Sequence, residues 1–264
     1  MGALLPLADE FWLACHDRPD GLSQLKDFPL GVGLGTALLA ELLTPHVVTV
    51  TDRDTMQVRR HQVLLLHLRA GRLFLDPGPH GAVEDTWYEL LWFLHDEARH
   101  IHPDGSAGVP LADVLRYLAG AGDDRARGLL EGPMRGDDYA PARRVGKRVV
   151  AKGRLSRQSP PLAVPQKRRQ GLRRIVTHVP ADPQTAAMPG VRLGHALRRG
   201  ERLDTQGRLL GALFRLTGLE TVLALDAPER RRLDEELTQL TDVLRELLNH
   251  AEALMGSAVM TNRM

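Results

Sequence analysis

The sequence predicts a mainly α-helical protein, folded as one globular domain over residues 1–264 with a projecting basic β-hairpin. Aromatic residues make up only 4% of the chain, so the core must be built from Leu, Val and Ala, which suits helices better than a β-sandwich. Residues 31–43 are apolar nearly all round apart from Glu41, a pattern typical of a buried central helix. No internal repeat or low-complexity linker divides the 264 residues.

The first half of the chain is predicted to alternate helices with a small β meander. An amphipathic helix over residues 4–16 is followed by a polar loop to residue 29 and then by the buried helix. β-Branched residues predict the meander's short strands, and apolar spacing then predicts three helices. The predicted strands are residues 47–50, 63–68 and 71–75, and the predicted helices are residues 84–100, 111–118 and 123–130.

The second half is predicted to hold a basic helix, a hairpin and a helical C-terminal region. Residues 139–152 read as the helix, with Gly153 as its C-cap, and residues 154–180 contain Pro-flanked β-prone pieces around a basic turn. A new helical region begins at Asp182. Its predicted helices are residues 191–199, residues 204–216 and one long helix over residues 228–255 with regular Leu spacing.

Charge is distributed very unevenly along the chain. No Asp or Glu lies between Asp138 and Asp182, whereas that stretch holds twelve of the 35 basic residues. The remainder has 23 basic against 33 acidic residues, which the overall net charge of +2 hides. Such a concentrated field favours an anionic partner such as phosphate, nucleic acid or a lipid surface, and a solvated face of ion pairs is the alternative.

The motifs of common enzyme classes are missing from the sequence. Gly31, Gly33 and Gly35 form G-x-G-x-G, which differs from the dinucleotide fingerprint, and no phosphate-binding loop or nucleophile elbow occurs. The His-rich residues 95–102 lack the spacing of a metal site, so neither a metal nor a cofactor is expected. Cys15 is the only cysteine and is expected to be a buried, inert thiol. We therefore expect a binding protein and not an enzyme.

Four segments resemble the Golgi phosphoprotein 3 family, including its bacterial members. They are LADEFWLACHD at residues 7–17, GLGTALLAELL at 33–43, VVAKGRLSR at 149–157 and LRRGERLDTQGRLLGALFRLTGLE at 197–220. Their order and spacing are similar to those of the family over most of the chain. The resemblance implies a central helical bundle ringed by amphipathic helices. It also implies a hairpin that mediates self-association.

The resemblance further implies a cytoplasmic protein that sits peripherally on the cytosolic membrane face and binds phosphatidylinositol 4-phosphate. The family's pocket Arg is replaced in the segment Gly33-Leu34-Gly35-Thr36, and its aromatic position falls near Lys26. Basic residues lie one turn beyond the family's Arg pair, which falls on Tyr139 and Ala142. The residues expected to bind the headgroup are Lys26, Arg143, Arg144, Lys147 and Arg148.

The hairpin is expected to contact the membrane or a second subunit. The residues expected to do so are Lys167, Arg168, Arg169, Leu172 and Ile175. The sequence also allows two alternatives to a lipid-binding protein, namely a nucleic-acid-binding protein and an interaction scaffold. The helix and basic hairpin over residues 139–180 also resemble a winged helix that binds nucleic acid, although the stretch lacks the residues that favour base readout. The second alternative is an interaction scaffold that oligomerises through the hairpin.

Overall fold

The computed structural model describes residues 5–18, 23–44, 46–51, 58–63, 66–75, 108–119, 163–170 and 173–261. This part of the chain is mainly helical, with short antiparallel sheets. Its helices are α1 (Leu7–Cys15), α2 (Asp27–Leu43), α3 (Leu111–Leu118), α4 (Pro183–Arg199), α5 (Thr205–Thr217), α6 (Ala227–Leu237) and α7 (Asp242–Thr261), with a 3-10 helix at Leu219–Leu223. The helices predicted at 84–100 and 123–130 lie outside the described residues.

Helix α2 lies at the centre of the described core and packs against α1, α3, α5 and α7. Every residue from Leu30 to Leu43 is buried, as the apolar sequence predicted. The helix begins at Asp27, four residues before the predicted start at Gly31. Pro29 is accommodated because it stands in the first turn, where a backbone N–H has no partner within the helix.

The three glycines of the G-x-G-x-G motif allow neighbouring helices to approach α2 closely. A Cβ atom on Gly31 would come within 2.8 Å of the Ala119 backbone, and one on Gly35 would come within 2.8 Å of Leu118 Cβ. On another side, a Cβ on Gly33 would lie 2.5 Å from the ring of Phe11 in α1. Helix packing at contact distance therefore explains why these positions hold glycine.

Two buried carboxylates tie α1 to distant parts of the chain. Pro6 provides no side-chain cap to α1, and Glu41 of α2 replaces it by accepting a 2.7 Å hydrogen bond from Ala8 N–H. Glu10, only 1% exposed, pairs with Arg192 of α4 at 2.6 Å. Helix α1 is thus capped and anchored by residues 33 and 182 positions away in sequence.

The C-terminal region contains two helices where the sequence predicted one over residues 228–255. Helix α6 ends at Leu237, and α7 begins at Asp242. The Thr238 hydroxyl donates to the Glu235 carbonyl at 2.7 Å, and Leu240 N–H bonds to Leu237 O in a tight turn. Leu240 is still only 4% exposed. The prediction was wrong because leucine spacing marks the buried face, whereas the local turn hydrogen bonds decide whether the helix continues.

Helix α4 also differs from its prediction, since it begins at Pro183 and not at residue 191. Asp182 caps it by accepting hydrogen bonds from the N–H groups of Gln184 and Thr185 at 3.1 and 3.0 Å. Pro189 lies inside the helix and is buried. The start predicted from the sequence lies beyond this proline, but packing of the buried face accommodates Pro189 within the helix.

The strands form separate small sheets and not one meander. Strands β1 (His46–Thr51) and β2 (Val58–Val63) pair with each other, as do β6 (Ala163–Gln170) and β7 (Arg173–Pro180), while β3 (Leu66–Arg69), β4 (Arg72–Leu75) and β5 (Val109–Pro110) form a three-stranded sheet. The predicted strand over residues 63–68 is therefore divided between β2 and β3. The two-residue turn of Ala70 and Gly71, both at positive φ, closes the β3–β4 hairpin. Glu246 of α7 accepts from Gly71 N–H at 2.5 Å and holds this turn against the helices.

Candidate functional site

Lys26 is the one predicted headgroup residue whose surroundings the structure describes. It is exposed and is the N-cap residue of α2, where its carbonyl accepts from Leu30 N–H at 3.0 Å. Lys26 therefore lies on the surface of the fold, at the start of the central helix. The other four predicted residues, Arg143, Arg144, Lys147 and Arg148, lie outside the described residues, as does the whole predicted helix 139–152.

Strands β6 and β7 place five basic residues in the four residue pairs nearest their turn. In the register of the two backbones, Lys167 stands opposite Val176, Arg168 opposite Ile175, Arg169 opposite Arg174 and Gln170 opposite Arg173. Leu172 lies outside the described residues. The register thus brings Arg169 and Arg174 to directly opposite positions, which costs free energy unless a counter-charge is near.

The hairpin leads directly into α4, because only Ala181 and Asp182 separate β7 from the helix. Strand β7 also contacts α4. Asp182 is the only acidic residue between Asp138 and Glu201, and its hydrogen bonds with Thr185 and Gln184 lower the pKa of its carboxyl group. The acid-poor stretch therefore extends beyond the hairpin through the whole of α4.

The sequence predicted part of helix α4, at residues 191–199, but did not identify its exposed face as part of the candidate site. The helix carries Arg192, His195, Arg198 and Arg199 on exposed positions and has no acidic residue of its own. The signal was present in the sequence, since the scarcity of acids continues to Glu201. Asp182 ends the acid-free stretch in the sequence, and in the structure it is the N-cap of α4.

Two observations on the described residues concern metal-ligand groups and the thiol of Cys15. The described residues include no group of three or more His, Cys, Asp or Glu side chains placed to hold a metal ion. Cys15 is fully buried, and burial raises the pKa of its thiol well above the ordinary value, so the prediction of a buried thiol is confirmed. The His-rich residues 95–102 lie outside the described ranges.

None of the helices in the described ranges is both long enough and apolar enough to cross a membrane. A scan against family models and a search of the curated proteins each find no match to the chain. The likeness to the Golgi phosphoprotein 3 family therefore rests on the four sequence segments and stays a prediction. Three of these segments lie in or overlap α1, α2, α4 and α5, and the segment 149–157 lies outside the described residues.

Proposed function

We propose that this protein binds the headgroups of anionic lipids, with a phosphoinositide such as phosphatidylinositol 4-phosphate as the favoured class. In this role it is a peripheral membrane protein on the cytosolic face, and it binds through the basic surface of residues 139–180 together with Lys26. The role is one of binding, without a catalytic step. The resemblance to the Golgi phosphoprotein 3 family supports the choice of lipid.

The observation that carries the proposal is the concentration of positive charge at the end of the hairpin. Five bases stand in four successive residue pairs of β6 and β7, and Arg169 and Arg174 are directly opposite each other. A basic residue close to an anionic leaflet contributes about 1 kcal/mol, and the effect fades within a Debye length of roughly 8–10 Å. These five residues and Lys26 together would supply several kcal/mol, which is enough for reversible recruitment to a membrane.

The test is co-sedimentation of the full chain with vesicles. Neutral phosphatidylcholine vesicles, vesicles with phosphatidylserine and vesicles with phosphatidylinositol 4-phosphate are compared, the last two at equal surface charge and at two salt concentrations. We expect binding to both anionic kinds, stronger to the phosphoinositide and weaker at high salt. Equal binding to the two anionic kinds would remove the headgroup selectivity, and binding to none would refute the proposal.

A double substitution locates the site. R169Q/R174Q is expected to weaken vesicle binding by about 30-fold, since two contributions of about 1 kcal/mol are lost. The matched control is R116Q/R245Q, which removes two exposed arginines that pair with Asp113 and Asp242 within their own helices. Equal losses in the two variants would mean that net charge alone drives binding. Binding of duplex DNA in preference to vesicles, lost in R169Q/R174Q, would favour the nucleic-acid alternative.

A further inference from the structure

We propose that the exposed face of α4, together with Val222 of the 3-10 helix, is a membrane-contact surface that inserts apolar side chains into an anionic bilayer. This inference rests on the function proposed above. It adds a second contact, distinct from the basic hairpin, and it defines which side of the helical core faces the lipid.

The surface is apolar at its centre. Met188, Val191 and Val222 are 55%, 58% and 45% exposed, and they are the large hydrophobic side chains left exposed in the described ranges. Met188 and Val191 stand three positions apart and therefore share one face of α4. The 3-10 helix packs against α4, and Val222 lines the same shallow depression as Ala187 and Gly190. Ala187 and Gly190 precede Met188 and Val191 in sequence, so Val222 lies on the side of α4 that adjoins the face shared by Met188 and Val191, and we call these three side chains the patch.

The arginines beside the patch are fixed to the fold by backbone carbonyls and by ion pairs, and Arg192 pairs with Glu10 at 2.6 Å. Arg198 donates from Nη2 to the Leu223 carbonyl at 2.9 Å, and Arg232 donates from Nη1 to the Leu197 carbonyl at 2.9 Å. A carbonyl group holds a guanidinium in place without cancelling its charge. The carboxylates of Glu229 and Glu201 lie 3.6 and 3.7 Å from Arg198 and Arg199. These arginines can therefore contact lipid phosphates while they remain fixed to the fold.

Apolar side chains next to fixed arginines are typical of helices that lie in the interface of an anionic membrane. The position of the patch agrees with this role, because β7 runs into α4 after two residues and contacts it. The patch therefore follows the hairpin directly along the chain, with the five basic residues at the end of the strands away from α4. This continuity and the complementary charge favour a bilayer as the occupant.

One acidic residue opposes the contact. Asp17 lines the depression beside Val222, and partial burial raises the pKa of its carboxyl group. Bringing an anionic surface to this point costs free energy because the carboxylate is repelled by the lipid charge and loses water. The substitution D17N is therefore expected to strengthen binding to anionic vesicles by a few-fold.

A single attached fluorophore tests the contact directly. Because Cys15 is fully buried, a polarity-sensitive thiol dye on V191C reports one site, and the control is the same dye on N249C, at an exposed position of α7. Vesicles of phosphatidylcholine with phosphatidylserine are expected to shift the emission to the blue for V191C only. An unchanged V191C signal while the protein co-sediments would refute the insertion and leave the proposed function standing. A shift that depends on protein concentration without vesicles would instead assign the patch to self-association and overturn the inference.

A loss-of-contact variant gives an independent measurement. M188Q/V191Q/V222Q is expected to weaken binding by about tenfold, since part of the free energy of burying three apolar side chains is lost. All three positions are exposed, so the thermal midpoint and the helical circular dichroism should be retained. Unaltered vesicle affinity in this variant would contradict the inference. Failure of the unsubstituted protein to bind any vesicle would instead refute the proposed function.

Discussion

At the scale of single residues, glycine in α2 is required where another helix occupies the place of its side chain. The obstacle at Gly31 is the backbone of Ala119, which cannot turn away as a side chain can. Gly256 in α7 is the opposite case, because a Cβ added there would meet nothing within 4 Å. The two glycines have the same backbone freedom and differ only in their surroundings.

The substitution G31A is expected to lower the free energy of unfolding by about 1–3 kcal/mol, because overpacking forces the backbone of α2 or α3 to shift. The substitution G256A should raise it by about 0.5–1 kcal/mol, as alanine loses less conformational entropy in a helix. Chemical denaturation of the two variants measures both effects. If G31A were as stable as G256A, close helix contact would not be the reason for glycine at residue 31.

His16 should make stability depend on pH. It is 7% exposed, stacks on Trp12 at 4.2 Å between ring centroids, and donates from Nδ1 to the Trp12 carbonyl at 2.7 Å. Burial lowers the pKa of its imidazole from 6.5, more than the hydrogen bond to Trp12 raises it. The unfolded chain therefore binds more protons, and stability is lost as the pH falls through 6.5 until the folded pKa is passed.

Thermal unfolding measured between neutral and mildly acidic pH should show that the free energy of unfolding falls, by up to about 1.4 kcal/mol for each pH unit below 6.5. In H16Q the pH dependence over the same range should be shallower, since the group that titrates is gone. An identical slope in both proteins would show that other groups control the acid sensitivity.

At the scale of elements, α1 depends on a cap that its own sequence does not provide. Glu41 reaches it from α2, and this carboxylate lies in a residue that is only 8% exposed. The substitution E41A leaves the buried N–H of Ala8 without its acceptor and should cost about 1–3 kcal/mol. E41Q keeps an acceptor oxygen and should cost less, so the difference between their unfolding free energies measures the cap. Equal costs would show that packing, not the hydrogen bond, makes residue 41 important.

The helices that could be predicted from the sequence are those whose own residues carry a clear spacing of apolar side chains. Helix α3 was predicted at 111–118, and it is observed over the same residues because its apolar spacing is unambiguous. The break at residues 238–241 and the strand β5 could not be predicted, since one depends on turn hydrogen bonds and the other on pairing with Arg72 and Leu73. The strongest part of the pattern, the buried helix α2, was confirmed.

The candidate site was harder to predict than the fold because charge alone does not define a surface. The acid-free stretch is visible in the sequence, yet the opposition of Arg169 and Arg174 depends on the strand register. Likewise, the exposure of Val191 and Val222 on adjoining elements follows only from how α4 packs. A sequence pattern identifies which residues carry charge, and tertiary packing decides which of them act together.

At the scale of the whole molecule, the contacts of the first helix have a consequence for synthesis on the ribosome. Glu10 meets its partner Arg192 only after 182 further residues have been made, and Leu5 O accepts from Gln206 across 201. At roughly 5–20 residues per second, α1 waits about ten to forty seconds before its contacts in α4 and α5 are made. During that time α2 can already pack on α1, but the apolar surface of α1 that contacts α4 and α5 has no native cover. Nascent chains stalled before residue 192 should therefore need a chaperone to stay free of aggregation, whereas those stalled after α7 has cleared the exit tunnel should not.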